Sequence, residues 1–197
     1  MLAGSLEKKE QFLVENCKIV SGKYLLYVGA RGYCKNFGRI VDILQSDYVK
    51  DTGLGLICVG GGDFSEHEEQ KLKDAGIYEK IIKFSNVSSK DLNCLYNHAK
   101  ALLFPSIYEG FGIPALEAAR AGCLVIPSNS SSIPEVVGDN DFLFDPESVS
   151  DAVNSVRKLD NDELIEENIK KQYEHSLMFS WDKTSKQTVE VYNSLFR

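Results

Sequence analysis

The sequence lacks any hydrophobic run long enough to cross a lipid bilayer. Its apolar runs, such as residues 101–104, are short, whereas a membrane-spanning helix needs about 20 residues. The N-terminal residues also lack the apolar stretch that a secretion signal requires. We therefore expect a cytoplasmic protein, with any membrane contact restricted to the inner face of the membrane.

The sequence also lacks the paired cysteines of a disulfide framework or a zinc site. It has 5 cysteines, an odd number, and no two of them have C-x-x-C spacing. Three of them lie in or beside apolar runs, which favours buried thiols in a reducing compartment. The five are Cys17, Cys34, Cys58, Cys94 and Cys123.

Positive charge is in deficit as well. The 22 lysines and arginines are outnumbered by 29 acidic residues, which gives a formal net charge of -7. Such a surface repels phosphate backbones, so we expect no nucleic-acid partner. The three histidines, His67, His98 and His175, are scattered and indicate no Ser-His-Asp arrangement.

Short apolar runs alternate with longer amphipathic stretches along the chain. The runs are continuous rather than alternating, as in strands that are covered on both faces. Predicted strands cover residues 24–29, 54–60, 80–84, 101–104 and 123–126, with a further candidate at 141–144. Predicted helices cover residues 36–46, 65–75, 88–98, 114–121 and about 149–159, with a last helix from about residue 181. This order predicts a doubly wound, Rossmann-like α/β fold, a parallel sheet with helices on both faces. We assign this domain to residues 23–197 and an N-terminal helical extension or linker to residues 1–22.

The segment from residue 104 to 118 carries the clearest chemical pattern. It leaves a predicted strand, forms a glycine-rich loop and enters a helix that begins near Pro114. A helix start offers free N–H groups to a phosphate, and glycines allow close approach of the backbone. Glu109 and Glu117 flank this point, and ionised carboxylates accept hydrogen bonds from sugar hydroxyls. Without further evidence, Glu117 could equally complement the helix dipole and Glu109 could be a simple loop charge.

The run E-G-F-G-I-P-A-L-E-A at residues 109–118 resembles the signature of the retaining glycosyltransferases of family four. These enzymes have the two-domain GT-B architecture, and the signature lies in their C-terminal, donor-binding domain. Further blocks of the sequence are similar to that family in the same order. They are residues 27–31 with 35–37, then 59–62, 91–106, 133–139 and 145–146.

The resemblance implies a role for each matching residue. Glu109, Arg31 and Lys35 would act at the reacting centre, Glu109 on the hydroxyls of the donor sugar and the two cations on the diphosphate. Glu117 would bind the ribose hydroxyls. Backbone contacts to the donor would come from Gly29, Gly110, Phe111, Gly112 and Val87, the last of these beside the base. No metal and no cofactor are implied, since the donor substrate is a nucleoside-diphosphate sugar.

Two other motifs predict different chemistry and are weaker. Residues 139–141 spell D-x-D, a metal-binding pattern of another glycosyltransferase architecture, but the family has a structural turn at this place. Residues 60–62 are all glycine, but no G-x-G-x-x-G pattern follows the first strand, so an oxidoreductase is not expected.

We therefore expect transfer of a hexose from a GDP- or UDP-linked sugar to a glycan or lipid-linked acceptor, with retention, in polysaccharide biosynthesis. The family has an N-terminal acceptor-binding domain of similar size, so we expect this partner half in a longer chain or in a separate one. The chain alone would then be inactive. One alternative is a non-catalytic nucleotide-sugar-binding module that needs a partner chain. Another is a sugar epimerase or phosphorylase of the same architecture, although the run at residues 109–114 argues against an epimerase and no feature indicates pyridoxal phosphate.

Overall fold

Five parallel strands form one sheet in the computed structural model, which describes residues 20–195. The strand order is β3-β2-β1-β4-β5. Strands β2 and β3 therefore lie on one side of β1, and β4 and β5 lie on its other side. Leu25 of β1 pairs with Leu56 of β2 and with Ala101 of β4, which places β1 in the interior of the sheet. The strands are Tyr24–Val28 (β1), Gly55–Val59 (β2), Ile81–Phe84 (β3), Ala101–Phe104 (β4) and Val125–Pro127 (β5).

Helices cover both faces of this sheet. The α-helices are Phe37–Gln45 (α1), Asp47–Thr52 (α2), Glu66–Asp74 (α3), Ser89–His98 (α4), Ile113–Arg120 (α5), Ile133–Val137 (α6), Val149–Arg157 (α7), Asp162–Ser176 (α8) and Trp181–Leu195 (α9). Short 3-10 turns occupy Tyr33–Lys35, Tyr78–Lys80 and Lys158–Asp160.

Alternate side chains of each strand enter two separate cores. Leu25 and Tyr27 pack in a core with residues of α1, α3 and α7. Tyr24 and Leu26 point to the opposite face, in a core with residues of α4 and α5. Because strand side chains alternate between faces, two covered faces require the continuous apolar runs seen in the sequence. The predicted doubly wound α/β fold is confirmed.

Capping residues set where two of the predicted helices begin. The Ser65 hydroxyl accepts a hydrogen bond from the Glu68 amide, and the Glu68 side chain returns a bond to the Ser65 amide. This reciprocal capping box satisfies N–H groups that have no partner within the helix. Ser88 caps α4 in the same way, by accepting from the Asp91 amide.

The expectation of a sixth strand at residues 141–144 is wrong. Phe144 makes only an isolated bridge to Ser128, and the residues before it form a turn. Polar side chains hold this turn, because Asn140 accepts from the Phe142 amide at 2.8 Å and Asn168 accepts from the Asp141 amide at 2.9 Å. The apolar residues are buried as parts of a loop rather than as a strand.

The predicted N-terminal extension lies almost wholly outside the described residues, which begin at residue 20. Gly22 already belongs to the domain, since its amide donates to the His98 carbonyl at 2.8 Å. Among residues 20–195, no helix is both long enough and apolar enough to span a membrane. The last predicted helix is present as α9, and none of its residues is buried.

Candidate functional site

The loops that follow β1 and β4 meet at the carboxyl edge of the sheet. The strand order reverses between these two strands, which is where open α/β sheets bind their ligands. The amide of Ile107 donates to the Cys34 carbonyl at 2.8 Å and fastens one loop to the other. Side chains from two distant parts of the sequence are thereby brought to one place.

Lys35 and Glu109 form an ion pair at this junction. The Lys35 Nζ atom lies 2.5 Å from Oε1 of Glu109, and the Ser106 hydroxyl donates to the same oxygen at 2.8 Å. The Glu109 side chain is only 10% exposed, so the pair is partly shielded from solvent. Lys35 ends a 3-10 turn, and the following Asn36 has a left-handed conformation that its side chain fixes by donating to the Pro146 carbonyl at 3.0 Å.

The glycine-rich loop leads from Glu109 into the N-terminus of α5. Gly112 has φ 101°, a conformation that favours glycine, whereas a Cβ atom there would make only an ordinary contact at 3.4 Å with the Phe104 ring. Within residues 20–195, the amides of Gly110, Phe111 and Gly112 donate no hydrogen bond. Free amides beside a helix N-terminus and a lysine provide a suitable place for an anion.

Glu117 lies one turn into α5 and borders a cavity of about 840 Å³. Its Oε2 atom accepts a hydrogen bond from the Tyr96 hydroxyl at 3.2 Å. Burial, together with the Glu117 charge and hydrogen bond, raises the pKa of Tyr96, so the phenol stays protonated and keeps donating. The cavity wall is largely apolar and includes Phe111, Leu116 and Trp181.

Arg31 points away from the ion pair, toward the loop after β2. Its side chain is only 5% exposed, and Nε lies 2.9 Å from Oε1 of Glu68. The other guanidinium nitrogens donate to backbone carbonyls of the β2 loop at 2.7–3.3 Å, those of Gly60, Gly61, Gly62 and Asp63. Gly61 has φ 73°, a left-handed conformation that favours glycine at this turn. None of these contacts involves Lys35 or Glu109.

The contact with Arg31 also affects Glu68. Partial burial raises the pKa of the Glu68 carboxyl, but hydrogen bonds from Ser65 and Arg31 outweigh that effect, and the pKa lies below its ordinary value. Glu68 therefore serves both the cap of α3 and the anchoring of Arg31.

The two remaining predicted contacts lie beside the same edge of the sheet. Gly29 directly follows β1 with φ 144°, and its amide donates to the Val59 carbonyl at 2.9 Å. Val87, in the loop before α4, is partly buried and packs on the core beneath α4 and α5.

The serine run at residues 130–132 also lies at the site, although it is not among the residues predicted from the sequence. These hydroxyls donate to carbonyl groups of the segment that carries Glu109. The available signal was three consecutive serines a few residues after a predicted buried strand, at the edge where the ligand was expected.

The D-x-D run at residues 139–141 and His175 both contact neighbouring protein groups. Asp139 and Asp141 both lie near Lys171, and the hydrogen bond from Asn168 and the nearby Lys171 hold the pKa of Asp141 below its ordinary value. His175 bonds the Glu135 carbonyl through Nε2 at 2.8 Å. Across residues 20–195, no group of three or more His, Cys, Asp or Glu residues could hold a metal ion.

Comparison with known proteins identifies the family to which the chain is similar. The family model for glycosyl transferases group 1 matches residues 8–175. The chain is 33% identical over 177 residues to O-antigen chain mannosyltransferase B of Escherichia coli, a match that covers 87% of this chain and 46% of the relative. The chain thus spans about half the length of that relative.

Two solved structures have the same fold at lower sequence identity. The C-terminal domain of the group 1 glycosyl transferase LpcC from Francisella tularensis superposes with a TM-score of 0.70 at 23% identity, covering 86% of this chain and 91% of that one. Anabaena HepE, solved in complex with UDP and glucose, has a TM-score of 0.80 at 16% identity, covering 95% of this chain and 52% of that one.

Proposed function

Because the chain belongs to the glycosyl transferases group 1 family, we propose that it is the nucleotide-sugar-binding half of a retaining hexosyltransferase. One observation carries this proposal. The Lys35–Glu109 pair lies beside the free amides at the N-terminus of α5, so groups for an anion and for sugar hydroxyls adjoin each other. A nucleoside-diphosphate sugar carries both an anionic diphosphate and sugar hydroxyls in one molecule.

The proposed donor lies across the carboxyl edge of the sheet. Lys35 and the amides of residues 110–112 bind the diphosphate, and the Glu109 carboxylate accepts hydrogen bonds from the sugar. Glu117 accepts from the ribose hydroxyls, and Val87 and Gly29, which directly follows β1, border the nucleoside. The apolar cavity beside Glu117 provides further space next to the ribose.

Charge development in the reaction explains why these groups suit it. When the glycosidic bond breaks, the departing nucleoside diphosphate gains negative charge, which Lys35 and preorganised amides stabilise. The chain contributes positioning and charge stabilisation, and the proposal needs no metal ion. For Arg31 to reach the diphosphate, as the resemblance implies, its guanidinium must exchange carbonyl oxygens of the β2 loop for phosphate oxygens.

The transferred sugar is proposed to be mannose, and the acceptor a growing polysaccharide. Support comes from the relative that is named as an O-antigen chain mannosyltransferase. That relative is about twice as long as this chain, so the acceptor site is proposed to lie in a second domain.

Calorimetric titration in buffer with EDTA tests the donor assignment directly. We expect the chain to bind either GDP-mannose or UDP-glucose without metal, and to bind the matching nucleoside diphosphate as well. Addition of an N-terminal half should be required for turnover. If the folded chain binds neither nucleotide sugar at millimolar concentration, the assignment of these residues to a donor site is wrong.

A further inference from the structure

Serine hydroxyls after β5 bind the segment after β4 in a regular series. Ser128 donates to the Ser106 carbonyl at 2.5 Å, and Ser130 donates to the Ile107 carbonyl at 2.6 Å. Two further serines extend the series toward α5. Ser131 donates to the Glu109 carbonyl at 2.8 Å. Ser132 donates its one hydroxyl hydrogen to the Glu109 carbonyl at 2.9 Å, with the Phe111 carbonyl at 3.3 Å as a second acceptor within reach.

The serine hydrogen bonds begin where the backbone hydrogen bonds between the segments after β4 and β5 end. The last backbone bond between the two segments joins the Ser128 amide to the Phe104 carbonyl at 2.9 Å. In the part of the chain that the structure describes, no backbone amide bonds the carbonyls of Ile107, Glu109 or Phe111. Apart from the bond between the Ile107 amide and the Cys34 carbonyl, the path of residues 105–112, which we call the donor loop, therefore depends on serine side chains rather than on backbone pairing in the sheet.

The Ser132 hydroxyl bonds the loop after β4 instead of capping its own helix. Ser132 occupies the N-cap position of α6, where a serine side chain ordinarily accepts from an amide of its own helix. Here its side chain makes no such bond and reaches to the Glu109 and Phe111 carbonyls instead.

Ser131 is held in a conformation that disfavours serine. Its φ of 56° lies in the left-handed region, where a residue with a Cβ atom is less stable than glycine. In this conformation its hydroxyl contacts both backbone groups of Glu109, donating to the carbonyl and accepting from the amide at 3.4 Å. Unfavourable backbone conformations of this kind concentrate at functional sites.

We propose that Ser130, Ser131 and Ser132 are positioning residues that hold the donor loop in the shape needed to bind the sugar of the donor. This inference rests on the proposed function. It adds the residues that make the donor site prefer a nucleotide sugar to a free nucleotide. The serines act on the loop that carries Glu109 and the amides of residues 110–112, whereas Lys35 lies on the β1 loop and Glu117 lies on α5. A displaced loop would cost the sugar its Glu109 contact, while the diphosphate keeps Lys35 and the ribose keeps Glu117. Loss of the serine bonds should therefore impair sugar recognition more than nucleotide recognition.

The test compares affinities of the chain for GDP-mannose and GDP, or for UDP-glucose and UDP if uridine is the preferred base. In Ser131→Gly with Ser132→Ala, we expect binding of the nucleotide sugar to weaken about fivefold or more, and binding of the free nucleoside diphosphate to weaken by a clearly smaller factor, because Lys35 still binds its phosphates. Glycine suits the left-handed conformation, so this variant should not lose its fold. Ser132→Thr keeps the hydroxyl and should retain affinity. Ser185→Ala is the matched control, because that serine donates to a carbonyl of its own helix, far along the sequence from the loop.

A second measurement does not depend on any ligand. Hydrogen exchange of the peptide covering residues 105–113 should be faster in the Ser131→Gly, Ser132→Ala variant than in the wild type and in the Ser185→Ala control. Equal exchange in all three would overturn the inference, as would equal weakening of both ligands or unchanged affinity for the nucleotide sugar. Failure of the wild-type chain to bind any nucleotide sugar would instead refute the proposed function, and faster loop exchange would still show that the serines hold the loop.

Discussion

The Nζ atom of Lys35 lies 2.5 Å from Oε1 of Glu109, although the two residues are 74 positions apart in the sequence. Without a ligand, the carboxylate therefore offsets the positive charge that a diphosphate would use. A bound donor would give each member of the pair a new partner, with phosphate at the lysine and sugar hydroxyls at the glutamate.

Glu109→Gln should consequently have opposite effects on two ligands. Removal of the negative charge leaves the Lys35 ammonium without its counter-ion, so a nucleoside diphosphate should bind at least as tightly as it does to the wild type. The nucleotide sugar should bind about tenfold more weakly, because charge-assisted hydrogen bonds to its hydroxyls are lost. Calorimetry with both ligands measures the two changes.

Lys35→Met provides the contrast, since it should weaken both ligands. An equal loss of both ligands in Glu109→Gln would show that Glu109 does not discriminate the sugar, and would remove it from the proposed sugar contacts.

The Arg31–Glu68 pair should contribute to stability in a pH-dependent way. Because the pKa of Glu68 is lower in the folded protein than its ordinary value of 4.5, its stabilising contribution is present at neutral pH. That contribution is lost as the pH falls through the depressed folded-state pKa. Glu68→Gln should lower the free energy of unfolding by about 1 kcal/mol at neutral pH, and by progressively less as the pH falls below the ordinary value of 4.5. Urea unfolding at a series of pH values from neutral downward measures the difference.

Glu69→Gln is a matched control on the same helix. Glu69 pairs with Lys73 at 3.2 Å, but both side chains are exposed, so its loss should change the free energy of unfolding by less than about 0.5 kcal/mol. A Glu68→Gln effect that is no larger than this, or one that does not shrink at low pH, would contradict a stabilising role for the Arg31 contact.

The fold was predictable from the sequence where hydrophobicity determines structure. β1 and β4 are continuous apolar runs because both of their faces are covered, and such runs are visible without a structure. Helix α8 was missed because its buried face is polar. Its buried residues include Asn168 and Gln172, and the Gln172 side chain bonds both the amide and the carbonyl of Val125. Hydrophobic periodicity does not detect a helix that packs through amide side chains.

The site was predictable to a more limited extent. Residues that follow strands at the point where strand order reverses are expected to meet, and Lys35 and Glu109 do so. The direction of a long side chain is not encoded in such a pattern. Arg31 follows the same strand as Lys35, yet its guanidinium bonds the carbonyls of the β2 loop, a contact set by the shape of the glycine turn.

Cys34 should report directly on occupation of the site. It is exposed one residue before Lys35, whereas Cys58 and Cys123 are buried, and burial raises the pKa of both of these thiols to about 12. Thiolates are the reactive form, so N-ethylmaleimide at neutral pH should label Cys34 in the folded protein and the two buried thiols only in denaturant. Bound nucleotide sugar should slow labelling of Cys34, as measured by peptide mass spectrometry. Labelling at an unchanged rate in the presence of saturating ligand would place the ligand elsewhere.

Helix α9 should add little to the stability of the described domain. None of its residues is buried, and its tryptophan, Trp181, is 79% exposed. The chain just before it is held firmly, because Arg120 donates to the carbonyls of Ser176 and Phe179 at 3.0 and 2.7 Å. Truncation after Ser180 should therefore change the free energy of unfolding by less than about 1 kcal/mol, measured by circular dichroism in urea. Arg120→Ala, which releases the carbonyls at the end of α8, should cost more than the truncation. The opposite order would mean that α9 packs on this domain, and its apolar face would then not be available to a second domain.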